Sequence, residues 1–392
     1  RGAQSARGPT RPSVMPALNL AALNGQQPQS IAIRPDAPAM LNLEEINMTE
    51  EEMQNSYDPD NEENNYKLPH HIQKKLQLKH FRQLCSEVIP GALFISSFQV
   101  AGDLERLKKQ QITHIVNTAG DICDSSFPNE FRYVTYYLKD TNNEDISLLF
   151  YRTLEWIQSA ISAGGRVLVH CREGVSRSAT MVIAYLMWRF GLTFEAAHEM
   201  LRRVRPVCNP NTGFTFQLLL LGKKLSGALG CGSHPAGLPA PPDRPLVFRV
   251  APYHPREPFL LLVPAEWSAS PSPPVDPRFG WVVQRGPLLV CWIGSQVLDA
   301  GAVQEAVLGH SQRLEVFERC KCTVKFIAEG EEPPLWQVLG LPSAQDDCSG
   351  LLAHRPIFDA DFEVLRALAD TGGAAPGGLQ ARTLVQPPSA VA

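Results

Sequence analysis

One segment near the middle of the 392-residue chain constrains its fold more than any other. The apolar run at residues 167–169 leads directly into His170 and Cys171, and a short loop separates it from the apolar stretch 179–188. The first run predicts a buried strand, and the longer stretch predicts a buried helix. The loop therefore joins the end of a strand to the start of a helix, where backbone N–H groups converge and can hold an anion.

The loop carries the residue types of a phosphate-binding cradle. Its members are Arg172, Glu173, Gly174, Val175, Ser176 and Arg177. Gly174 lets the backbone approach a ligand, and Arg177 can donate a planar fork to two phosphate oxygens. The helix dipole, the loop amides and Arg177 all favour the thiolate form of Cys171. We therefore predict that Cys171 attacks phosphorus in line and forms a cysteinyl-phosphate. The alternative is a buried core thiol beside a surface arginine.

The run from His170 to Ser178 resembles the signature of cysteine-dependent protein phosphatases, and its flanks are similar to the dual-specificity branch. The resemblance covers residues 84–226. It implies a protein-tyrosine-phosphatase-like α/β fold, in which helices flank a central sheet. It also implies hydrolysis of phosphotyrosine and of phosphothreonine or phosphoserine on proteins, with no metal and no cofactor.

Such a reaction needs a proton donor for the leaving oxygen and later a base for water. Asp140, which follows a predicted strand, matches the family's general acid. Asp145 is the rival, although it is also a candidate helix N-cap. Ser178 is predicted to stabilise the departing thiolate, and His170 to orient the loop. Asn211 is predicted either to support the loop or to cap a helix.

Strand-like and helix-like patterns alternate between residues 84 and 226, which predicts an α/β layer structure. The predicted strands are residues 92–95, 112–116, 134–138 and 167–169. The predicted helices are residues 148–161, 179–188, 194–204 and 214–221.

A proline-rich stretch follows, with thirteen prolines between positions 235 and 277. We interpret residues 227–244 as a linker and most of the stretch to 278 as loop, with one strand at 259–263. Further strands are predicted at 281–283, 288–293 and 323–328. Helices are predicted at 302–316, 335–339 and 359–368, the last of them inside a tail at 343–392.

Residues 245–342 resemble a smaller α+β gelsolin-like domain. The resemblance depends on 291–294, 326–333 and 335–340. A dual-specificity phosphatase followed by such a module is similar to the mitogen-activated protein (MAP) kinase phosphatases of plants. It implies a phosphorylated MAP kinase as substrate and a weak actin contact. Glu331 and Glu332 are either calcium ligands or a charged turn. Because of the linker, we expect this module to fold independently and to take no part in catalysis.

Residues 1–83 are predicted to be mostly disordered. Residues 1–35 hold four arginines and no acid, which fits a disordered tail or a transit peptide. Nine acids lie between positions 44 and 63, and a basic segment follows. Within it, residues 74–78 fit a kinase-docking segment or an amphipathic helix that packs on the catalytic domain.

Charge and composition exclude several classes of function. A net charge of −4 argues against nucleic-acid binding, and no apolar run is long enough to span a membrane. Nine scattered cysteines do not predict a disulfide framework and favour a reducing compartment, so we expect a cytoplasmic location, with a nuclear one as the alternative. The competing function is that of a catalytically idle phosphatase fold that tethers phosphoproteins or actin.

Overall fold

The computed structural model describes residues 70–229, 245–265, 276–331 and 356–370. All of them belong to one compact unit. The helices of the first region are α1 (His70–Arg82), α2 (Phe98–Ala101), α3 (Leu104–Lys109), α4 (Phe150–Ser162), α5 (Arg177–Phe190), α6 (Phe194–Val204) and α7 (Thr212–Leu225), with a 3₁₀ turn at Ile146–Leu149. Its strands are β1 (Ser86–Ile89), β2 (Leu93–Ser96), β3 (His114–Asn117), β4 (Arg132–Thr135) and β5 (Val167–His170).

The first sheet has the order β1-β2-β5-β3-β4. Strand β1 pairs antiparallel with β2, and the other three pairings are parallel. Strand β5 lies at the centre and is buried along its whole length. The carboxyl ends of four parallel strands therefore meet at one edge of the sheet, where ligands bind in open α/β sheets. The predicted α/β architecture of this region is confirmed.

Helix α5 starts at the end of the loop that follows β5. Its residues from Arg177 to Met187 are all buried, so the helix is a core element rather than a surface one. Gly191 ends it in the left-handed region, at φ 64°. A side chain is strained in that conformation, and glycine is not. Because α5 follows the loop after β5, its amino end lies at the carboxyl edge of the sheet.

In its described residues, the second region contains another five-stranded sheet and two helices. Its elements are β6 (Leu246–His254), β7 (Glu257–Pro264), β8 (Gly280–Arg285), β9 (Leu288–Ile293), α8 (Ala300–Glu318), β10 (Thr323–Ala328) and α9 (Pro356–Asp370). The strand order is β10-β9-β8-β6-β7, and only β9 and β10 are parallel. One face of the sheet packs against Val303 and Val307 of α8, and the other against Phe358 and Phe362 of α9.

Two features of the second region differ from the sequence prediction. Strand β6 lies where we expected mostly loop, and it is nearly all buried. Helix α9 lies within the predicted tail, yet it packs on the sheet, and Asp361 accepts a hydrogen bond of 2.6 Å from Arg249. The predicted helix at 335–339 lies outside the described residues, as does Glu332. Glu331 accepts the backbone N–H of Ala328 at 3.0 Å, which is the contact of a turn residue.

The two regions share a core, whereas the proline-rich linker predicted a second region that folds independently and takes no part in catalysis. Phe317 of α8 is buried among the apolar side chains of the first region. Its ring stacks on that of Tyr151 in α4, with centroids 4.7 Å apart and planes at 4°. The hydroxyl of Tyr151 donates to Glu318 at 2.6 Å, and Arg313 forms an ion pair with Glu155 at 3.1 Å. The two regions are therefore in direct contact, and the segment that joins them along the chain, residues 230–244, lies outside the described residues.

Helix α1 packs on the catalytic region through Leu76, which is buried. Of the two interpretations of residues 74–78, the amphipathic helix is therefore the one that the structure supports, since Leu76 is not available to a partner. The predicted acidic and arginine-rich segments before residue 70 lie outside the described residues. Among those described, no helix is long and apolar enough to cross a membrane. Six described cysteines are free thiols, whereas Cys320 is in a disulfide bond.

Candidate active site

The loop from Arg172 to Ser176 begins where β5 ends, at the centre of the parallel edge. The backbone carbonyl of His170 accepts two bonds from Thr118, one from its N–H at 2.9 Å and one from its hydroxyl at 2.8 Å. The His170 side chain is buried, and burial lowers its pKa to about 4. The imidazole is therefore neutral at pH 7 and fits the predicted orienting role better than that of a proton carrier.

Cys171 lies at the floor of the loop and is 2% exposed. Its Sγ accepts a hydrogen bond from the backbone N–H of Gly174 at 3.2 Å and lies 3.2 Å from the hydroxyl of Ser178. Both groups can donate a hydrogen bond to the Cys171 sulfur. Cys171 and Ser178 are thus brought together as the sequence predicted.

Gly174 occupies the tightest point of the loop. Its φ is +71°, and an added Cβ would lie 2.5 Å from the carbonyl oxygen of Ser96 and 2.6 Å from the guanidinium of Arg205. A side chain would therefore be strained in its backbone conformation and would also collide with the neighbouring strand end. The sequence needs glycine here so that the loop can curl around the sulfur.

Arg177 is 4% exposed and is held by the chain segment that leads to Asp140. Its Nη1 donates to the carbonyl oxygen of Leu138 at 2.9 Å. Its Nε lies 3.6 Å from Oδ2 of Asp140 and has no hydrogen bond among the described residues. A buried guanidinium with an unsatisfied N–H beside the loop is suited to receive a phosphate oxygen.

Asp140 lies at the rim of the same cleft. Its Oδ1 accepts a hydrogen bond of 2.7 Å from the hydroxyl of Ser176 and one of 3.0 Å from the side-chain amide of Asn211. The side-chain oxygen of Asn211 accepts the N–H of Phe214 at 2.9 Å and caps α7. Asn211 therefore has both of the contacts that the sequence left open, a helix cap and a support for the site.

Asp145, the rival to Asp140, is directed elsewhere. It caps the 3₁₀ turn, accepting the N–H of Ser147 at 3.1 Å and the hydroxyl of Ser147 at 2.6 Å. It does not line the cleft. The cleft has a volume of about 510 Å³ and is lined by Leu78, Asp121, Ile122, Lys139, Asp140, Cys171, Arg172, Glu173, Val175, Ser176 and Arg177.

Glu173 lies on the cleft lining, and its carboxylate is paired with an arginine. Arg82, the last residue of α1, donates to the Glu173 carboxylate through both Nε and Nη2. The Nη2–Oε1 distance is 2.9 Å. The pairing keeps the negative charge of Glu173 off the phosphate position and ties α1 to the loop. Arg172 is exposed and reaches Glu173 at 3.8 Å.

Sequence reasoning missed Arg205, a buried residue behind the loop. Its guanidinium donates to the carbonyl oxygens of Gly174 at 2.8 Å and Glu173 at 3.1 Å. Those two carbonyls face away from the cleft, so the peptide N–H groups are free to face inward. Nothing in the sequence places Arg205 near the loop, because it is far along the chain and follows an ordinary amphipathic helix.

The described residues contain no group of three or more metal-ligating side chains. A thiol, an acid and an arginine are instead gathered around one anion-sized position. The geometry is that of a nucleophile under a phosphate cradle, with a proton carrier at the rim.

Comparison with known proteins agrees with this geometry. Residues 93–224 match the dual specificity phosphatase catalytic domain. The protein-tyrosine-phosphatase MKP1 of Arabidopsis thaliana is 30% identical over 268 residues, which are 67% of this chain and 32% of that protein. The MAP kinase phosphatase with leucine-rich repeats protein 3 of Dictyostelium discoideum is 41% identical over 38% of this chain and 17% of its own length.

The chain therefore spans about a third of MKP1 and less of the Dictyostelium protein. A shorter relative is matched nearly in full. The dual specificity protein phosphatase 1B of Arabidopsis thaliana is 38% identical over 142 residues, which are 36% of this chain and 84% of that protein. With the site geometry, these matches show that the chain belongs to the dual specificity phosphatase family of protein-phosphatase hydrolases.

Proposed function

We propose that this protein hydrolyses phosphotyrosine and phosphothreonine or phosphoserine on proteins through a cysteinyl-phosphate intermediate. The observation that carries the proposal is the position of Cys171. Its Sγ has two hydrogen-bond donors at 3.2 Å, at the floor of a cleft that also contains Arg177 and Asp140. Sulfur, guanidinium and carboxyl group thus surround the place where a phosphate would sit.

In the first step, the Cys171 thiolate attacks phosphorus while the bond from phosphorus to the substrate oxygen breaks. Arg177 and the loop amides bind the negative charge that spreads over the phosphoryl oxygens. Protonated Asp140 gives its proton to the departing oxygen of tyrosine, threonine or serine. The product protein leaves as the neutral alcohol or phenol, and phosphate stays on sulfur.

In the second step, water attacks the phosphorus of the thiophosphate. The Asp140 carboxylate, left unprotonated by the first step, takes a proton from that water. The phosphorus–sulfur bond breaks, and the sulfur leaves as a thiolate to which the Ser178 hydroxyl donates. Inorganic phosphate departs, and no redox or metal chemistry is required at any step.

For the protein substrate we propose a phosphorylated MAP kinase. The support is the likeness to a Dictyostelium protein named as a MAP kinase phosphatase. The cationic side chains of Lys139 and Arg172 on the cleft lining add to it, since a kinase activation segment that carries two phosphates is strongly anionic. A cytoplasmic or nuclear location would be required for that substrate and stays a prediction.

For the second region we propose a gelsolin-like module, with a weak actin contact as its associated prediction. The match to MKP1 runs over 268 residues and thus extends beyond the catalytic domain at 93–224. The described part of the sequence resemblance, at 291–294 and 326–331, includes the ends of two strands of a sheet that has a helix on each of its apolar faces. Both observations support a gelsolin-like module in this position.

The test uses a peptide phosphorylated on threonine and tyrosine, with phosphate release measured in the presence of a metal chelator. Wild-type protein is expected to release phosphate from both residues. Cys171→Ser is expected to lower kcat by at least about a thousandfold, because a neutral hydroxyl is a poor nucleophile, yet to retain bound phosphopeptide.

The matched control is Cys123→Ser, because Cys123 is buried beside Cys171 and burial raises its pKa to about 11. It is expected to keep its turnover. A wild-type protein that binds the peptide without releasing phosphate would instead identify a catalytically idle binding protein.

A further inference from the structure

The hairpin that joins β6 to β7 lies against the strand end that leads to Asp140. The hydroxyl oxygen of Tyr253 accepts the backbone N–H of Tyr137 at 2.8 Å. Strand β4 is the edge strand of the first sheet and ends just before this point, at Thr135. An edge strand has N–H groups with no neighbouring strand to receive them. A side chain from the second region supplies the missing acceptor at Tyr137.

Aromatic rings reinforce this single hydrogen bond. The His254 ring stacks on the Tyr137 ring, with centroids 3.8 Å apart and planes at 10°. The Tyr136 ring is fully buried and meets the edges of Tyr253 at 6.0 Å and Phe259 at 6.5 Å. Two consecutive residues of the first region are therefore held by three rings of the second, which limits how far the backbone between them can move.

From Tyr137 the chain runs directly into the catalytic groups. The carbonyl of Leu138 accepts the 2.9 Å hydrogen bond from Arg177, and Asp140 follows two residues later. Lys139 and Asp140 are both exposed. The acid is therefore carried on a short exposed segment that is anchored on one side by Tyr253 and on the other by Ser176 and Asn211.

We propose that Tyr253 is a positioning residue for the phosphatase reaction: the β6–β7 hairpin fixes the strand end from which Asp140 projects, and so sets proton donation to the leaving group. The inference rests on the proposed function. It makes the second region part of the catalytic unit, although none of that region's described residues lines the cleft. A misplacement of about 1 Å can cost a reaction about a hundredfold in rate, which is why anchoring matters.

The test is Tyr253→Phe in the full chain, which removes the acceptor oxygen and keeps the ring. Two small substrates are compared, phenyl phosphate and 4-nitrophenyl phosphate. Phenoxide is a poor leaving group and needs the proton, whereas nitrophenoxide leaves without it. We expect kcat for phenyl phosphate to fall about threefold to tenfold, which corresponds to one hydrogen bond, and kcat for 4-nitrophenyl phosphate to stay within about twofold.

The matched control is Tyr151→Phe, which also removes a tyrosine hydroxyl from the interface between the two regions. Its partner is Glu318 of α8 at 2.6 Å, whereas Tyr253 bonds the backbone of Tyr137. We expect this variant to lower the melting temperature and to leave both kcat values unchanged. Equal losses on the two substrates in Tyr253→Phe, or the same substrate-dependent loss in Tyr151→Phe, would overturn the inference.

A double-substitution cycle separates positioning from general destabilisation. In an Asp140→Asn background there is no proton to deliver, so adding Tyr253→Phe should leave kcat for phenyl phosphate unchanged. Multiplicative losses would contradict the inference. If Tyr253→Phe does not fold, His254→Ala removes the ring stacked on Tyr137 and must show the same dependence on the leaving group.

The inference and the proposed function fail in different ways. A wild-type protein that hydrolyses neither aryl phosphate contradicts the proposed function. An active wild type whose Tyr253→Phe and His254→Ala variants lose no more on phenyl phosphate than on 4-nitrophenyl phosphate contradicts only the positioning role.

Discussion

Cys171 and Cys291 each belong to a short apolar run, one in each sheet, but their surroundings are chemically opposite. Cys291 lies within β9, is fully buried, and has a pKa raised to about 12 by burial. Cys171 directly follows the last residue of β5, and its sulfur contacts the N–H of Gly174 and the hydroxyl of Ser178. A thiol inside a strand is surrounded by neighbouring side chains. A thiol at the carboxyl end of a central parallel strand instead contacts loop amides and the start of a helix.

The pairing pattern of the two sheets explains the difference. Four strands of the first sheet run parallel, so their following loops gather at one edge. The second sheet has one parallel pair, β9 and β10, and its other neighbours are antiparallel. Its loops are therefore distributed over both edges. The chemistry belongs to the first sheet, and the second acts on it through contact.

The largest expected difference between the two regions comes from replacing one aspartate in each with asparagine. Asp140→Asn is expected to lower kcat for phenyl phosphate by about 10²–10⁴-fold, because asparagine has no proton to transfer. Asp299 caps α8 and accepts the N–H of Ala302 at 2.9 Å. Since asparagine caps a helix about as well as aspartate, Asp299→Asn should change neither kcat nor melting temperature measurably.

Steady-state kinetics on phenyl phosphate check both variants, and Asp145→Asn tests the rival within the first region. A larger loss in Asp145→Asn than in Asp140→Asn would move the general acid to the capping residue and break the assignment.

Much of the first region could be predicted because its key elements carry strong local signals. Strand β5 and helix α5 are continuous apolar runs that are buried in the structure, and the loop between them has a specific composition. The site residues Cys171, Arg177 and Ser178 lie within that one segment. Local sequence and global fold agree there, as they do in well-specified structures.

The rest depended on contacts between distant residues. Strand β6 was missed because Pro252 and its neighbouring prolines resemble a linker. In the fold, β8 pairs with residues up to Val250, and Pro252 lies beyond that pairing, so its missing N–H costs no bond to β8. Arg205 and Tyr253 have no local signal at all. Each contacts the site through a hydrogen bond to backbone far away in the chain, which composition and periodicity do not record.

A second test compares the two buried arginines. Arg205, behind the loop, bonds the carbonyls of Gly174 and Glu173. Arg205→Met should lower the free energy of unfolding by about 3 kcal/mol, because two buried carbonyls lose a charged donor. It should also lower kcat about tenfold or more, because the loop amides are then free to rotate out of the cleft.

Arg249 provides the matched change in the second region. It is buried between the rings of Phe279 and Phe358 and bonds Asp361 at 2.6 Å. Arg249→Met should lower the free energy of unfolding without lowering the kcat of the folded protein. Urea denaturation and kinetics on 4-nitrophenyl phosphate measure both quantities. If Arg249→Met slowed turnover as much as Arg205→Met, the loop-specific role of Arg205 would be wrong.

The last expected effect concerns His170, and it changes stability in acid rather than turnover at neutral pH. Burial lowers its pKa to about 4 in the folded protein, from an ordinary value of 6.5. The unfolded chain then binds more protons than the folded one between those two values. The stability contributed by the neutral ring is fully present above pH 6.5 and is lost as the pH falls toward 4. A shift of this size corresponds to a loss on the order of 3 kcal/mol across that window.

His170→Gln removes the titrating ring while keeping a side chain that can hydrogen-bond. Its free energy of unfolding, measured by urea denaturation at several pH values, should fall less steeply than that of wild type between pH 6.5 and 4. His310 of α8 is the counterpart in the second region, where burial, Arg313 and Lys224 lower the pKa to about 4. His310→Gln should therefore flatten the curve over the same window. If His170→Gln left the slope unchanged while His310→Gln flattened it, the acid sensitivity would belong to the second region alone, and His170 would not be held neutral behind the loop.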